Sequence, residues 1–200
     1  VNFASQWLGL SPYDEALQIQ RQRSRQVSAT GFVLGCEHPS VITLGKRAQV
    51  HIELRQSSII PVIQIDRGGH ATLHSPGQLV IYPILPLRQW QLGIRDYIQA
   101  LLEATARLLR QYHCVSFERP GLPGLYTEQG KIAFVGVRVQ NGVSLHGLSL
   151  NIANDLTLFR NIRSCGQEQE TFAHLATTQS LETLFAEWTQ IFAECLRIIK

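Results

Sequence analysis

The sequence predicts a mixed α+β domain: a sheet of several strands flanked by a few helices. Three observations carry this. Short β-branched and apolar runs are spaced along the chain as strands. Two longer stretches repeat their apolar residues at helical spacing. Asn141-Gly142 separates two apolar runs, a strong hairpin signal. In chain order, Ser11-Pro12 followed by Asp14 reads as a helix start, with a cap, a proline in the first helical position and an acid in the first turn. That helix is expected to run to about Val27. Gly31 to Cys36 and Val41 to Leu44 read as strands broken by Glu37-His38-Pro39. Ile60 to Ile65 and Gln78 to Ile84 read as two more, with a loop from Asp66 onward between them. Ile94, Tyr97, Ile98, Leu101, Leu102, Leu108 and Leu109 mark a helix ending near His113. Ile132 to Val139 and Val143 to Ile152 form the hairpin. Leu181, Leu184, Phe185, Trp188, Phe192, Cys195 and Leu196 mark a C-terminal helix.

A chain of 200 residues suggests one domain, residues 1–200. With 44% hydrophobic and 16% charged residues it can build a core and is not disordered. No apolar run reaches the 18 or so residues of a membrane span, and Val1 to Leu10 lacks the pattern of a signal peptide. The expectation is a cytoplasmic protein without a membrane partner. A net charge of +3 and a pI of about 8.8 fall short of a nucleic-acid footprint.

Cys36, Cys114, Cys165 and Cys195 show no CxxC spacing, so neither a metal site nor a redox pair is expected. Cys36, Cys114 and Cys195 lie in or beside strands or on an apolar helix face, as structural cysteines do. Cys165 lies in a polar stretch, Asn161 to Gly166, whose exposure suits a nucleophile. Such a thiol needs a group to lower its pKa or take its proton. Lys131, His74 and His146 are the candidates. By position alone Lys131 is a solvent-facing residue beside a turn, and His146 a hydrogen-bonded core histidine. His74 sits in a stretch rich in glycine and proline, free to face a ligand. Arg67-Gly68-Gly69-His70 is a glycine loop where backbone can approach a ligand closely. It is neither a Walker loop nor a dinucleotide fingerprint, so no ATP or other cofactor is expected.

Asp66-Arg67-Gly68-Gly69 with Thr72, His74, Pro76-Gly77-Gln78-Leu79-Val80 and Tyr82-Pro83 resembles the signature loop of the lipoyl(octanoyl) transferases. Glu37-His38-Pro39 with Thr43-Leu44-Gly45 is similar to the family's first motif. Pro123-Gly124-Leu125-Tyr126, Lys131-Ile132-Ala133, Gly136-Val137-Arg138-Val139, His146-Gly147-Leu148, Leu150-Asn151-Ile152, Asp155-Leu156, Phe159, Ile162 and Cys165-Gly166 follow in order. The resemblance spans about Trp7 to Leu175. It implies the fold of biotin and lipoate protein ligases. It also implies transfer of an octanoyl group from octanoyl-acyl carrier protein, through a cysteine thioester, to a lysine of a lipoyl domain. The acceptors it implies are lipoyl domains of 2-oxoacid dehydrogenase complexes and the H protein of glycine cleavage. Cys165 would be the nucleophile and Lys131 its partner. Arg67, Gly68, Gly69, His70, Ala71, Thr72, Leu73 and His74 would line the acyl site with Phe134, Val135, Gly136, Gly147, Leu148 and Ser149. Both partner proteins are typically acidic, and Arg21, Arg23 and Arg25, or Arg88 and Arg95, are the basic residues expected to dock them. The family has tyrosine and glycine where this chain has Leu73 and Ser75, and proline where it has Ser164. Leu73 is therefore expected to reshape the acyl pocket.

Three other readings stand beside this one. An ATP-dependent lipoate or biotin ligase of the same fold needs no nucleophilic cysteine. A non-catalytic acyl-binding protein binds without turnover. A cysteine hydrolase uses His74 or His146 as its base and releases free acid.

Overall fold

The computed structural model describes residues 2–49, 53–54, 59–163 and 170–198. Among them are ten strands: β1 (Asn2–Leu10), β2 (Thr30–Glu37), β3 (Val41–Leu44), β4 (Val62–Gln64), β5 (Ala71–His74), β6 (Gln78–Ile84), β7 (Phe117–Arg119), β8 (Leu122–Thr127), β9 (Gly130–Gln140) and β10 (Val143–Asn151). The helices are α1 (Tyr13–Gln26), α2 (Ile94–Gln111) and α3 (Leu181–Ile198), with a 3-10 helix at Leu156–Asn161. Seven strands make one sheet, in the order β1-β2-β6-β10-β9-β8-β7. Three make a smaller sheet, β4-β3-β5. Both sheets are mixed: β1 runs parallel to β2 and β3 parallel to β4, whereas the other pairs are antiparallel.

The centre of the large sheet is covered on both faces, which is why β6 is buried along its whole length. Its alternate residues part company. Leu79 and Ile81 join α2 and α3, while Val80, Tyr82 and Ile84 join Ala16 of α1 with Leu34 and Cys36 of β2. On α3, Leu184, Trp188 and Phe192 recur every four residues and so share one buried stripe. Trp188 stacks on Phe192 at 4.5 Å, and its indole N–H donates to Thr105 Oγ1 of α2 at 2.9 Å. A second, smaller core lies under the three-stranded sheet. Ile42, Leu44, Ala71 and Leu73 meet Phe134 of β9 and Phe159 and Ile162 from the 3-10 segment there. The candidate site sits between this small sheet and β9–β10.

Several elements differ from the sequence expectation. Pro12, not Ser11, occupies the capping position of α1, and no side chain caps the helix. The Ser11 N–H instead donates to the Glu37 carbonyl. The strand expected over Ile60 to Ile65 shrinks to Val62–Gln64. Pro61 has no N–H to give a ladder and contributes only its carbonyl, which accepts from Ile42 N–H. Part of the expected glycine-rich loop is strand β5, paired antiparallel with β3. The β9–β10 hairpin closes on Gln140 and Val143. Asn141 and Gly142 take φ of 53° and 82° between them, the left-handed pair that a two-residue turn requires.

The α2–α3 contact generates a stability prediction. Trp188→Ala removes a fully buried ring and leaves Thr105 without its donor. It should cost about 4 kcal/mol in urea unfolding, with Trp188→Phe costing clearly less. Equal losses from the two variants would contradict this packing.

Candidate active site

Strict alternation on β9 would send Lys131 to the α2–α3 face with Ala133 and Val135. The register between β8 and β9 slips by one residue between the pairs Leu125↔Ala133 and Tyr126↔Lys131. Ile132 therefore joins Ala133 in the α2–α3 core, and Lys131 turns to the face of Phe134. A bulge has re-aimed one side chain. Lys131 is not the solvent-facing residue its position suggested: its side chain is 0% exposed. Nζ lies 5.0 Å from the Phe134 ring, 5.2 Å from the Tyr126 ring and 3.8 Å from Glu170 Oε1. Gly124, at φ +129°, leaves room for the lysine stem. A Cβ there would fall 2.9 Å from Lys131 Cε and 2.3 Å from the Ala133 carbonyl.

The glycine loop is pinned by its own arginine. Buried Arg67 donates from Nη2 to the Thr43 carbonyl and hydroxyl, both at 3.0 Å, and from Nη1 to the Gly68 carbonyl at 2.9 Å. Its side chain crosses Gly136, where a Cβ would meet Arg67 Cδ at 2.9 Å. Glu53, 2% exposed, holds the next turn. Its carboxylate accepts from His70 Nδ1 at 2.8 Å, from Gln49 N–H at 3.1 Å and from Ala71 N–H at 2.5 Å.

These elements enclose a cavity of about 140 Å³. Arg67, Gly69, His70, Ala71, Thr72 and His74 line one side. Lys131, Phe134, Val135 and Gly136 line another, and His146, Gly147, Leu148 and Ser149 a third. Two of the residues expected at the acyl site do not line it. Gly68 is turned to β9, its N–H donating to the Val137 carbonyl. Leu73 is fully buried in the small core with Ile42 and packs behind the wall. Sequence reasoning missed Tyr13, Arg47, Val80, Tyr82, Gly121 and Leu122, which also line the cavity. Tyr13 opens a helix and Arg47 follows a strand, and nothing local marks either as a wall residue. Thr72 Oγ1 is buried with no hydrogen-bond partner among the described residues.

Neither candidate histidine is placed as a base. His74 is not in a free loop but on buried β5, its Nδ1 2.7 Å from Gln78 Oε1. Burial, with His38 and Arg67 nearby, pushes its pKa down to about 3. His146 is 1% exposed, as expected of a core histidine. Its Nε2 donates to Asp66 Oδ1 at 2.8 Å, and Asp66 is in turn paired with Arg138. Burial and the charges of Arg67, Arg138 and Arg21 push its pKa down to about 3 as well. His146 has φ 58°, the left-handed region, in the middle of a strand. Its N–H is met from outside the sheet, by Gln20 Oε1 of α1 at 2.9 Å. A non-glycine residue held there is over-determined by its neighbours.

Cys165 and Ser164 lie outside the described residues. The described residues on either side of them are anchored at the cavity. Arg163 N–H donates to the Glu53 carbonyl at 2.8 Å, and Ile162 pairs with Leu54. On the other side, Lys131 N–H donates to the Thr171 carbonyl at 2.8 Å and Ala173 N–H to the Lys131 carbonyl at 3.0 Å. Cys36, Cys114 and Cys195 all have thiols raised by burial.

The fold and the cavity place the molecule in the class of lipoate and biotin protein ligase folds. A bi-partite lipoate protein ligase from Thermoplasma acidophilum superposes with a TM-score of 0.77 at 15% identity, over 98% of this chain and 84% of that one. A biotin protein ligase from Aquifex aeolicus gives 0.61 at 10% identity, over 97% and 70%. Within this class the sequence is more particular. Residues 12–187 match the lipoyl protein ligase A/B catalytic domain, and the chain belongs to that family. An octanoyltransferase of Halorhodospira halophila is 38% identical over 179 residues, 88% of this chain and 79% of the relative.

The buried histidines give the molecule a pH signature. In the unfolded chain they titrate near 6.5 and in the folded one near 3. Between these values the unfolded chain binds more protons. The stability that rests on neutral His74 and His146 is therefore complete above about pH 6.5 and is lost as the pH falls toward 3. At about 1.4 kcal/mol per pH unit for each group, the urea stability should drop on the order of 4 kcal/mol between pH 7 and pH 5. A flat profile over that interval would contradict the neutral, buried assignment.

Proposed function

We propose that this chain is an octanoyltransferase. It takes an octanoyl group from octanoyl-acyl carrier protein onto Cys165 and passes it to a lysine of a lipoyl domain, on the 2-oxoacid dehydrogenases or the H protein of glycine cleavage. The observation that carries this reading is the placement of Lys131. It is a fully buried lysine on the wall of a cavity, and residues 171–173 run along its backbone. The relative from Halorhodospira halophila, an octanoyltransferase, supports the choice of acyl group.

In this reading Lys131 begins as an ammonium beside the Cys165 thiolate, which its charge stabilises. The thiolate attacks the donor thioester carbonyl and the tetrahedral intermediate collapses. The carrier's sulfur leaves and takes the Lys131 proton. Lys131 is then neutral beside the acyl-cysteine. When the acceptor amine attacks, neutral Lys131 takes its proton, the amide forms, and the Cys165 thiolate leaves to restore the starting pair. A thioester donor is already activated, so no nucleotide is required. Ala71, Phe134, Val135 and Leu148 give the acyl chain apolar wall. Burying about seven methylenes supplies several kcal/mol, at about 0.8 kcal/mol each.

The cysteine-hydrolase alternative is disfavoured by the histidines, since groups with pKa near 3 are poor bases at neutral pH. The ligase and binding-protein readings are separated by experiment. Mixed with octanoyl-acyl carrier protein, the protein should gain the mass of one octanoyl group and lose it on addition of a lipoyl domain. Cys165→Ser should gain nothing, and Lys131→Ala should slow turnover by about 100-fold or more. ATP-dependent turnover that survives in Cys165→Ser would make it a ligase. Binding without any adduct would make it an acyl-binding protein.

A further inference from the structure

Glu170 lies outside every motif that marked the site, yet it is the carboxylate nearest Lys131 among the described residues. Its side chain is 4% exposed, with Oε1 3.8 Å from Lys131 Nζ. The same oxygen accepts from the Tyr126 hydroxyl at 3.0 Å. Oε2 is buried with no hydrogen-bond partner among the described residues. A carboxylate taken out of water this far is costly unless a cation answers it.

Its position is fixed by the backbone that follows. Residues 171–173 hydrogen-bond the Lys131 amide on both sides, and Phe172 pairs with Lys131 in a parallel bridge. Gly130 permits this approach, since a Cβ there would lie 2.4 Å from the Thr171 carbonyl. Phe172 is itself stacked on Phe159 at 4.2 Å. The carboxylate is thus delivered to the lysine by the backbone of residues 171–173.

We propose that Glu170, held by Tyr126, is a positioning residue that sets the basicity of Lys131. The inference rests on the acyl-transfer reading and deepens it. When Cys165 is acylated its sulfur carries no charge, and Glu170 remains a negative partner of Lys131. It makes Lys131 a stronger base when the acceptor amine must lose its proton. The other described groups that line the cavity do not supply this. Arg47 and Arg67 line it, and Arg119 of β7 lies 4.4 Å over the Tyr126 ring; all three are cations. His74 and His146 are neutral. His70 lines the cavity with its Nδ1 held by Glu53. Burial raises the Tyr126 hydroxyl pKa, so it stays a donor.

The test is single-turnover discharge of the octanoyl-enzyme, made from octanoyl-acyl carrier protein and freed of donor, onto a lipoyl domain across pH. In the wild type the acidic limb reports Lys131 losing its proton. Glu170→Gln should move that limb down by about one pH unit or more, and Glu170→Asp should restore it at least in part. Tyr126→Phe should move it up, because the carboxylate loses a donor that shares its charge. A residue that only holds the fold would lower the rate or the melting temperature and leave the limb in place. An unmoved limb in folded Glu170→Gln overturns the inference. If that variant does not fold, an unmoved limb in Tyr126→Phe overturns it. Failure of the wild type to form an octanoyl-enzyme overturns the acyl-transfer reading and this inference with it. An octanoyl-enzyme whose limb ignores both substitutions overturns this inference alone.

Discussion

The burial of one lysine organises the molecule. An ammonium removed from water needs compensating charge or aromatic faces, and Lys131 has the rings of Tyr126 and Phe134 and the carboxylate of Glu170 around it. None of this would be reached from a regular strand. The slipped register of β8 against β9 turns the side chain away from the α2–α3 core and brings Ile132 into it beside Ala133. Gly124 gives up a side chain so that the lysine stem fits. The segment of 171–173 closes over the lysine backbone and carries Glu170 with it.

The rest of the site is held by buried polar groups that satisfy one another. Arg67 ties the glycine loop to β3 and crosses β9. Glu53 joins that loop to the residues leading toward Cys165, accepting from His70 and Ala71 with its side chain and from Arg163 with its carbonyl. Behind the cavity, His38 sits between the Ser11 carbonyl and the Tyr82 hydroxyl, and His146 between Asp66 and α1. These histidines are neutral, directional pieces of the wall rather than proton carriers. In the proposed reaction the wall stays rigid and proton transfer falls to the lysine and the thiol.

Much of the fold was legible in the sequence because the relevant signals are local. The Asn141-Gly142 turn, the β-branched run of β6 and the periodic faces of α2 and α3 each declare themselves within a few residues. What was not legible depends on partners far along the chain. β8 begins Leu122-Pro123-Gly124, which reads as a turn until β9 is laid beside it. β1 is an edge strand with little burial pattern to alternate. Ala71 to His74 looks like loop because its partner, β3, is distant in sequence. At the site, Lys131 was a candidate by its residue type and its motif, but its burial was not legible, since a bulge is invisible in one strand read alone. Leu73 was misplaced for the related reason that alternation sends it to the small core. Glu170 was missed because a lone glutamate after a poorly matching stretch carries no local sign of its partner.

The central claim is that Lys131 and Cys165 work as a charge-coupled pair. It is tested most directly by the pH dependence of Cys165 alkylation with iodoacetamide, followed by mass, in the wild type and in Lys131→Met, which keeps the length of the side chain without its charge. The account predicts a wild-type midpoint well below the ordinary thiol value of about 8.5 and a return to that value or above in the variant. Identical midpoints in the two proteins would mean that the lysine does not act on the thiol, and would contradict the account.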